Sequence, residues 1–83
     1  MPPPAPIRVF VNASPVEVAT GTDVRGALLA YDPELARRAD EGAALVTDAR
    51  GIELPLETPL AAGSIVRAVV RARRGEPDAD AHA

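Results

Sequence analysis

The stretch VFVNASPVEVATGTDVRGAL, residues 9–28, changes its period midway, and that change decides the fold. In IRVFVN, which overlaps its start, Ile7, Val9 and Val11 point one way and Arg8, Phe10 and Asn12 the other, the period-two pattern of a half-buried strand. Ala13-Ser14-Pro15 is expected to turn the chain, and VEVA repeats the alternation with Val16 and Val18 inward, so the two strands read as a hairpin. Beyond Gly21 the period lengthens. Val24, Leu28, Tyr31 and Leu35 fall at i, i+4, i+7 and i+11, one stripe of a helix.

The punctuation of this helix is equally readable. Asp23 stands where a side-chain oxygen caps the first turn. Gly26 costs about 1 kcal/mol against alanine inside a helix, which predicts a close approach of helix to sheet. Asp32-Pro33 is a second start signal and Gly42 a C-terminal glycine, so the helix is broken or followed by a second short one. ALVT (44–47) is then a short strand, and Asp48-Ala49-Arg50-Gly51 a turn with glycine at a positive φ. IELPL (52–56) alternates, but Pro55 lacks a ladder donor and demotes it to an edge strand at best. After a connection through Pro59 and Gly63 comes IVRAVVRA (65–72), with Val66, Ala68, Val70 and Ala72 on one face.

One arrangement buries every apolar stripe. It is an α+β fold with a mixed sheet of four to five strands and one main helix packed on one face. The first and last strands, as the most apolar, belong side by side and parallel at its centre. Residues 1–6, with four prolines in six positions, read as a disordered arm, residues 7–74 as the domain, and residues 75–83 as a flexible acidic tail.

Composition removes several functions. A domain of this size buries only about 60% of the surface its unfolded chain exposes, which leaves scarce room for an internal active site. There is no cysteine, so disulfides, thiolate metal sites and thiol nucleophiles are excluded. Ser14 and Ser64 have no histidine to activate them, His82 lacks companion ligands, and no carboxylate pair is set in a cleft. The expectation is a protein without catalysis, metal or cofactor. No run approaches the roughly 20 apolar residues of a membrane span, and MPPPAPIRVF lacks the pattern of a secretory leader, which points to the cytoplasm. All nine basic residues are arginine, and they balance nine acids over residues 1–75; Glu76, Asp78 and Asp80 supply the net charge of −3. Four arginines (Arg67, Arg71, Arg73, Arg74) crowd the last strand and its extension, too few and with too few aromatics for nucleic-acid binding.

Element order and particular residues together resemble the β-grasp fold of ubiquitin-like proteins, most closely the small bacterial sulfur carriers of thiamine and molybdopterin synthesis. VFVNASPVEVATGTDVRGAL is similar to their opening, and TPLAAGSIVRAVV (58–70) to their closing pattern of Pro-Leu, glycine, a polar residue and a final Ile-Val strand. The resemblance covers roughly residues 7–74. It implies a non-catalytic protein used through its C-terminus, where a protruding Gly-Gly carboxylate is adenylated by a partner enzyme and then converted to a thiocarboxylate or joined to an amine. This chain departs from that pattern, with Arg74-Gly75 in place of two glycines and EPDADAHA following.

The implied activity is that of a ubiquitin-like modifier or carrier precursor. Gly75 is the candidate acyl terminus, and the bond between Gly75 and Glu76 is the one a tail-trimming protease must cut before an activating enzyme can act. Arg71, Arg73 and Arg74 form the expected guiding stalk. Phe10, Ile65, Arg67 and Val69 share the sheet face away from the helix and form the expected docking surface. The rival expectations are a non-reactive β-grasp interaction module using the same face, and a sulfur carrier for cofactor biosynthesis.

Overall fold

A computed structural model describes residues 5–71. Its elements run β1 (Pro6–Val11), β2 (Ser14–Ala19), α1 (Val24–Tyr31), α2 (Pro33–Asp40), β3 (Ala44–Thr47) and β4 (Ile65–Val70). They form an α+β fold with a mixed four-stranded sheet in the order β2-β1-β4-β3. β1 and β4 are the central, parallel pair as expected, flanked by antiparallel partners. Helix α1 packs over β1 and β2, and α2 over β3 and β4. The sheet is thus two antiparallel strand pairs, each roofed by its own helix, joined along one seam.

The core between sheet and helices is small-chained. Val9, Val11 and Val18 meet Val24, Ala27 and Leu28 of α1, while Ala44, Val46, Val66 and Ala68 meet Leu35, Ala36 and Ala39 of α2. The predicted stripe is corrected at Tyr31, which is 38% exposed. Asp32 adopts extended backbone (φ −161°), ends α1 and caps α2 through its side chain to the Glu34 N–H. The break turns a single stripe into two faces, and Tyr31, on the last turn of α1, belongs to neither.

The β1–β2 turn also falls earlier than the alternation indicates. Asn12 and Ala13 are its two central residues, with φ of 51° and 71°, and Ser14 and Pro15 already belong to β2. Positive φ at both positions is the two-residue hairpin geometry whose favoured sequence is Asn-Gly. Alanine in the left-handed region costs about 1 kcal/mol.

Asn12 has a second task. The backbone ladder between β1 and β4 runs through Phe10 opposite Ile65 and Val11 opposite Val66, and closes with the Asn12 N–H on the Val66 carbonyl at 2.9 Å. There the main chain of β1 turns away, but β4 continues. The Asn12 carboxamide takes the place of the missing strand: its Oδ1 accepts the Ala68 N–H at 2.9 Å and its Nδ2 donates to the Ala68 carbonyl at 3.1 Å. One side chain satisfies both backbone groups of a buried residue.

The segment 52–56 is not an edge strand. It makes one isolated bridge, Glu53 with Thr47, and Leu54 donates to the Val46 carbonyl. Ile52 is exposed, whereas Leu54, Leu56 and Leu60 pack on the core margin. Its continuation caps α1. The Val24 and Arg25 N–H groups, orphaned at a helix start, bond the carbonyls of Thr58 and Leu56 at 3.0 Å each, and the Gly26 N–H bonds Asp23 Oδ1 at 2.8 Å. The capping role of Asp23 is as expected. The reason for Gly26 is different: an added Cβ would lie 2.5 Å from Thr22 Cγ2, in the capping turn rather than at the sheet.

Two outcomes test these assignments. Asn12→Gly keeps the left-handed backbone and removes only the carboxamide, so it should destabilise by about 1–3 kcal/mol, the cost of leaving buried polar groups unmatched. The check is a lower urea midpoint at an unchanged m-value. Gly26→Ala alone should fail to stabilise, because the Thr22 methyl opposes it. Gly26→Ala combined with Thr22→Ser should recover about 1 kcal/mol of helix propensity in the same measurement.

Candidate functional site

The alternation that sends Val9, Val11, Val66 and Ala68 inward sends Arg8, Phe10, Ile65, Arg67 and Val69 to the opposite face. No described element covers that face. Register places Pro15, Phe10 and Ile65 in one row across three strands, and Leu45 beside Val69 in another. Ile65 is 44% and Val69 62% exposed.

At the turn end of the face, Phe10, Ala13, Ile65 and Arg67 line an open depression of about 370 Å³. The expected docking residues Phe10, Ile65 and Arg67 are therefore brought together, and Val69 lies two positions further along β4. Ala13, Pro15 and Leu45 join the face without having been singled out from the sequence. Pro15 and Leu45 are recognisable once the register is known; Ala13 enters only because the turn begins one residue sooner than its composition indicates.

Arg71 is held rather than free. Its N–H bonds the Ala43 carbonyl at 2.9 Å, and its Nη2 donates to the Gly42 carbonyl at 3.3 Å, just past the end of α2, where a cation favours the helix dipole. Arg73, Arg74, Gly75 and Glu76 lie outside the described residues, so the proposed terminus and its cleavage bond do too, as does the end of the 65–72 run at Ala72.

Elsewhere, charge serves structure. Arg8 and Glu17 face each other across β1 and β2 at 3.8 Å. Arg25 bridges from α1 to Asp40 of α2 at 2.9 Å and to Glu57 at 3.6 Å; the Asp40 hydrogen bond holds its guanidinium above the usual arginine range. Arg37 pairs with Glu34 and Glu41 along α2, and Glu34 also accepts from Arg38. These pairs are exposed and screened, so each adds little. A second depression of about 340 Å³ includes Asp48, Arg50, Thr58 and Ser64, of which Asp48 and Ser64 use side-chain oxygens in turns. Asp48 Oδ1 accepts the N–H groups of Ile52 at 3.0 Å and Arg50 at 2.8 Å, and Ser64 Oγ accepts that of Ala61. Among the described residues no cluster of three His, Asp or Glu side chains is placed to hold a metal, and no helix is long and apolar enough to cross a membrane.

The committed carboxylates carry a pH signature. The Ile52 N–H holds Asp48 below the usual aspartate range, and the Arg37 guanidinium does the same for Glu34. Because the unfolded chain takes up these protons first, both groups add stability above the ordinary carboxylate range and lose it as pH falls through their lower folded values. Urea unfolding followed from neutral pH into acid should show that decline, and Asp48→Asn, which retains the accepting oxygen, should make it shallower.

Comparison with protein-family models, with curated proteins and with solved structures finds no match to this chain.

Proposed function

We propose that this chain is a β-grasp domain of the ubiquitin-like kind that works by being bound, as a modifier or carrier precursor activated at Gly75 after its tail is removed. The observation that carries the reading is the central parallel β1–β4 pair beneath a helical layer on one face, in the element order that the sequence resemblance implies. That order delivers the chain from the middle of the sheet at Arg71, four residues before Gly75.

The chemistry has defined steps. Hydrolysis of the bond between Gly75 and Glu76 consumes one water and leaves a carboxylate on Gly75 and an amine on Glu76. That carboxylate attacks the α-phosphate of ATP on the activating enzyme, releasing pyrophosphate and forming an acyl-adenylate. A sulfur or amine nucleophile then displaces AMP. Glycine suits a terminus that threads a narrow channel, because it has no side chain. Arg73 and Arg74 guide the terminus toward an acidic channel, with Arg71 as the anchored base of the stalk. The uncovered face of Phe10, Ile65, Arg67 and Val69 is the docking surface. A thiocarboxylate carrier would use the same end, but the single glycine departs from the paired glycines of such carriers.

The exposed apolar row on the sheet favours a second reading, a non-reactive interaction module that uses the face and never the terminus. Intact mass of the protein recovered from its native host distinguishes the two. The modifier reading expects a form ending at Gly75, free or attached to another molecule; recovery of full-length chain alone sinks it. Gly75→Trp should abolish that form while leaving partner binding by the sheet face unchanged.

A further inference from the structure

Ala13 occupies a backbone conformation in which glycine would avoid the steric penalty, with φ at 71°. Its methyl does not repay this in the core, since Ala13 is exposed and absent from the buried cluster. The group instead forms one wall of the depression shared with Phe10, Ile65 and Arg67. Strained backbone of this kind concentrates where a surface is shaped for a ligand.

Arg67 supplies the charged part of the lining. Arg8, Arg25, Arg37 and Arg38 each face a carboxylate and Arg71 a carbonyl, whereas Arg50, which has no side-chain partner among the described residues, lines the other depression beside Asp48. Among the described residues the Arg67 side chain has neither, and it alone of the arginines borders this depression. An apolar hollow with an unmatched guanidinium on its rim is complementary to an apolar side chain next to a carboxylate.

We propose that this depression docks a partner-protein segment that seats one apolar side chain between Phe10, Ala13 and Ile65 and sets an adjacent carboxylate on Arg67. The proposal rests on the reading of the outer sheet face as a docking surface, and it specifies what docks there. Other occupants fit less well. The chain's own residues 72–83 carry carboxylates but no Val, Leu, Ile, Met or Phe to fill the hollow. A second copy packed about a two-fold axis through the patch would bring Arg67 toward its own mate, like charge against like. A nucleic acid would meet one arginine and one aromatic ring, without the basic surface such binding needs.

The test is a titration of the full 83-residue chain, labelled with ¹⁵N, by the blocked tetrapeptide Gly-Leu-Asp-Gly at millimolar concentrations. The amides of Phe10, Ala13, Ile65 and Arg67 should shift together. Replacing the peptide's leucine by alanine, or its aspartate by lysine, should weaken binding about threefold or more, as should Arg67→Gln in the protein. Ala13→Gly is the decisive variant. It should raise the urea midpoint yet weaken the peptide about threefold, the effect of one lost methyl contact.

No shifts at these residues, equal binding of the lysine peptide, or undiminished binding by Ala13→Gly would overturn the proposal. So would shifts that depend on protein concentration alone, which assign the face to a second copy, or binding gained on deleting residues 76–83, which assigns it to the tail. The result is separable from the fate of Gly75. Peptide binding without a trimmed form retains the docking site and removes the modifier reading, and a trimmed form without peptide binding does the reverse.

Discussion

The fold depends on the seam between β1 and β4. Each half of the molecule is an antiparallel strand pair with a helix across it, β1–β2 closed by a two-residue turn and β3–β4 by a long connection. Only the parallel β1–β4 contact joins them within the sheet, and its strand-to-strand register covers two residue pairs. Parallel pairing is slightly less stable per residue than antiparallel and joins segments distant in sequence, so it must be reinforced. Asn12 does this by extending the ladder with its side chain after its main chain has left. The helical layer crosses the same line through α1–α2 packing and through Arg25 and Asp40. The ion pair is exposed, which leaves the carboxamide and the buried valines on either side of it as the stronger ties.

The long connection between β3 and β4 has work that its irregular backbone conceals. Residues 56–60 run past the start of α1 and accept hydrogen bonds that the helix cannot make internally. Leu56 and Leu60 close the margin of the core as they pass. With a core made largely of valine and alanine, the chain has little apolar area in reserve, and satisfying every buried polar group matters correspondingly more. Among the described residues no buried side-chain nitrogen or oxygen lacks a partner.

Elements whose cause is local were legible in the sequence. The alternation around Val9 and Val18, the cap at Asp23, the restart at Asp32-Pro33 and the glycine at 42 each report a constraint satisfied within a few residues. The parallel placement of β1 against β4 followed from apolar content alone. What was not legible had a distant cause. Asn12 looked like the outward end of a strand, because its partner, Ala68, lies 56 residues away. Tyr31 looked buried because periodicity does not register a one-residue break in the backbone. Gly26 was assigned to the sheet when its neighbour was Thr22. On the outer face, parity was enough to gather Phe10, Ile65 and Arg67, but Ala13 required knowing which two residues made the turn.

That turn links stability to the proposed docking surface. A sheet with helices on one side leaves its other face bare, and in so small a domain a bare face offers more surface for function than any interior cleft. The left-handed pair Asn12-Ala13 stands where both demands meet. The Asn12 carboxamide reaches along the seam to complete the β4 ladder, and its neighbour is thereby held at the lip of the outer depression. The residue that locks the two halves together therefore also sets the position of the Ala13 methyl relative to Phe10 and Ile65. A docking surface of the proposed kind would not need a flexible loop to form. Its geometry is a by-product of the same hydrogen bonds that keep β1 and β4 in register, so a change that loosens the seam should be felt on the outer face before the domain as a whole unfolds.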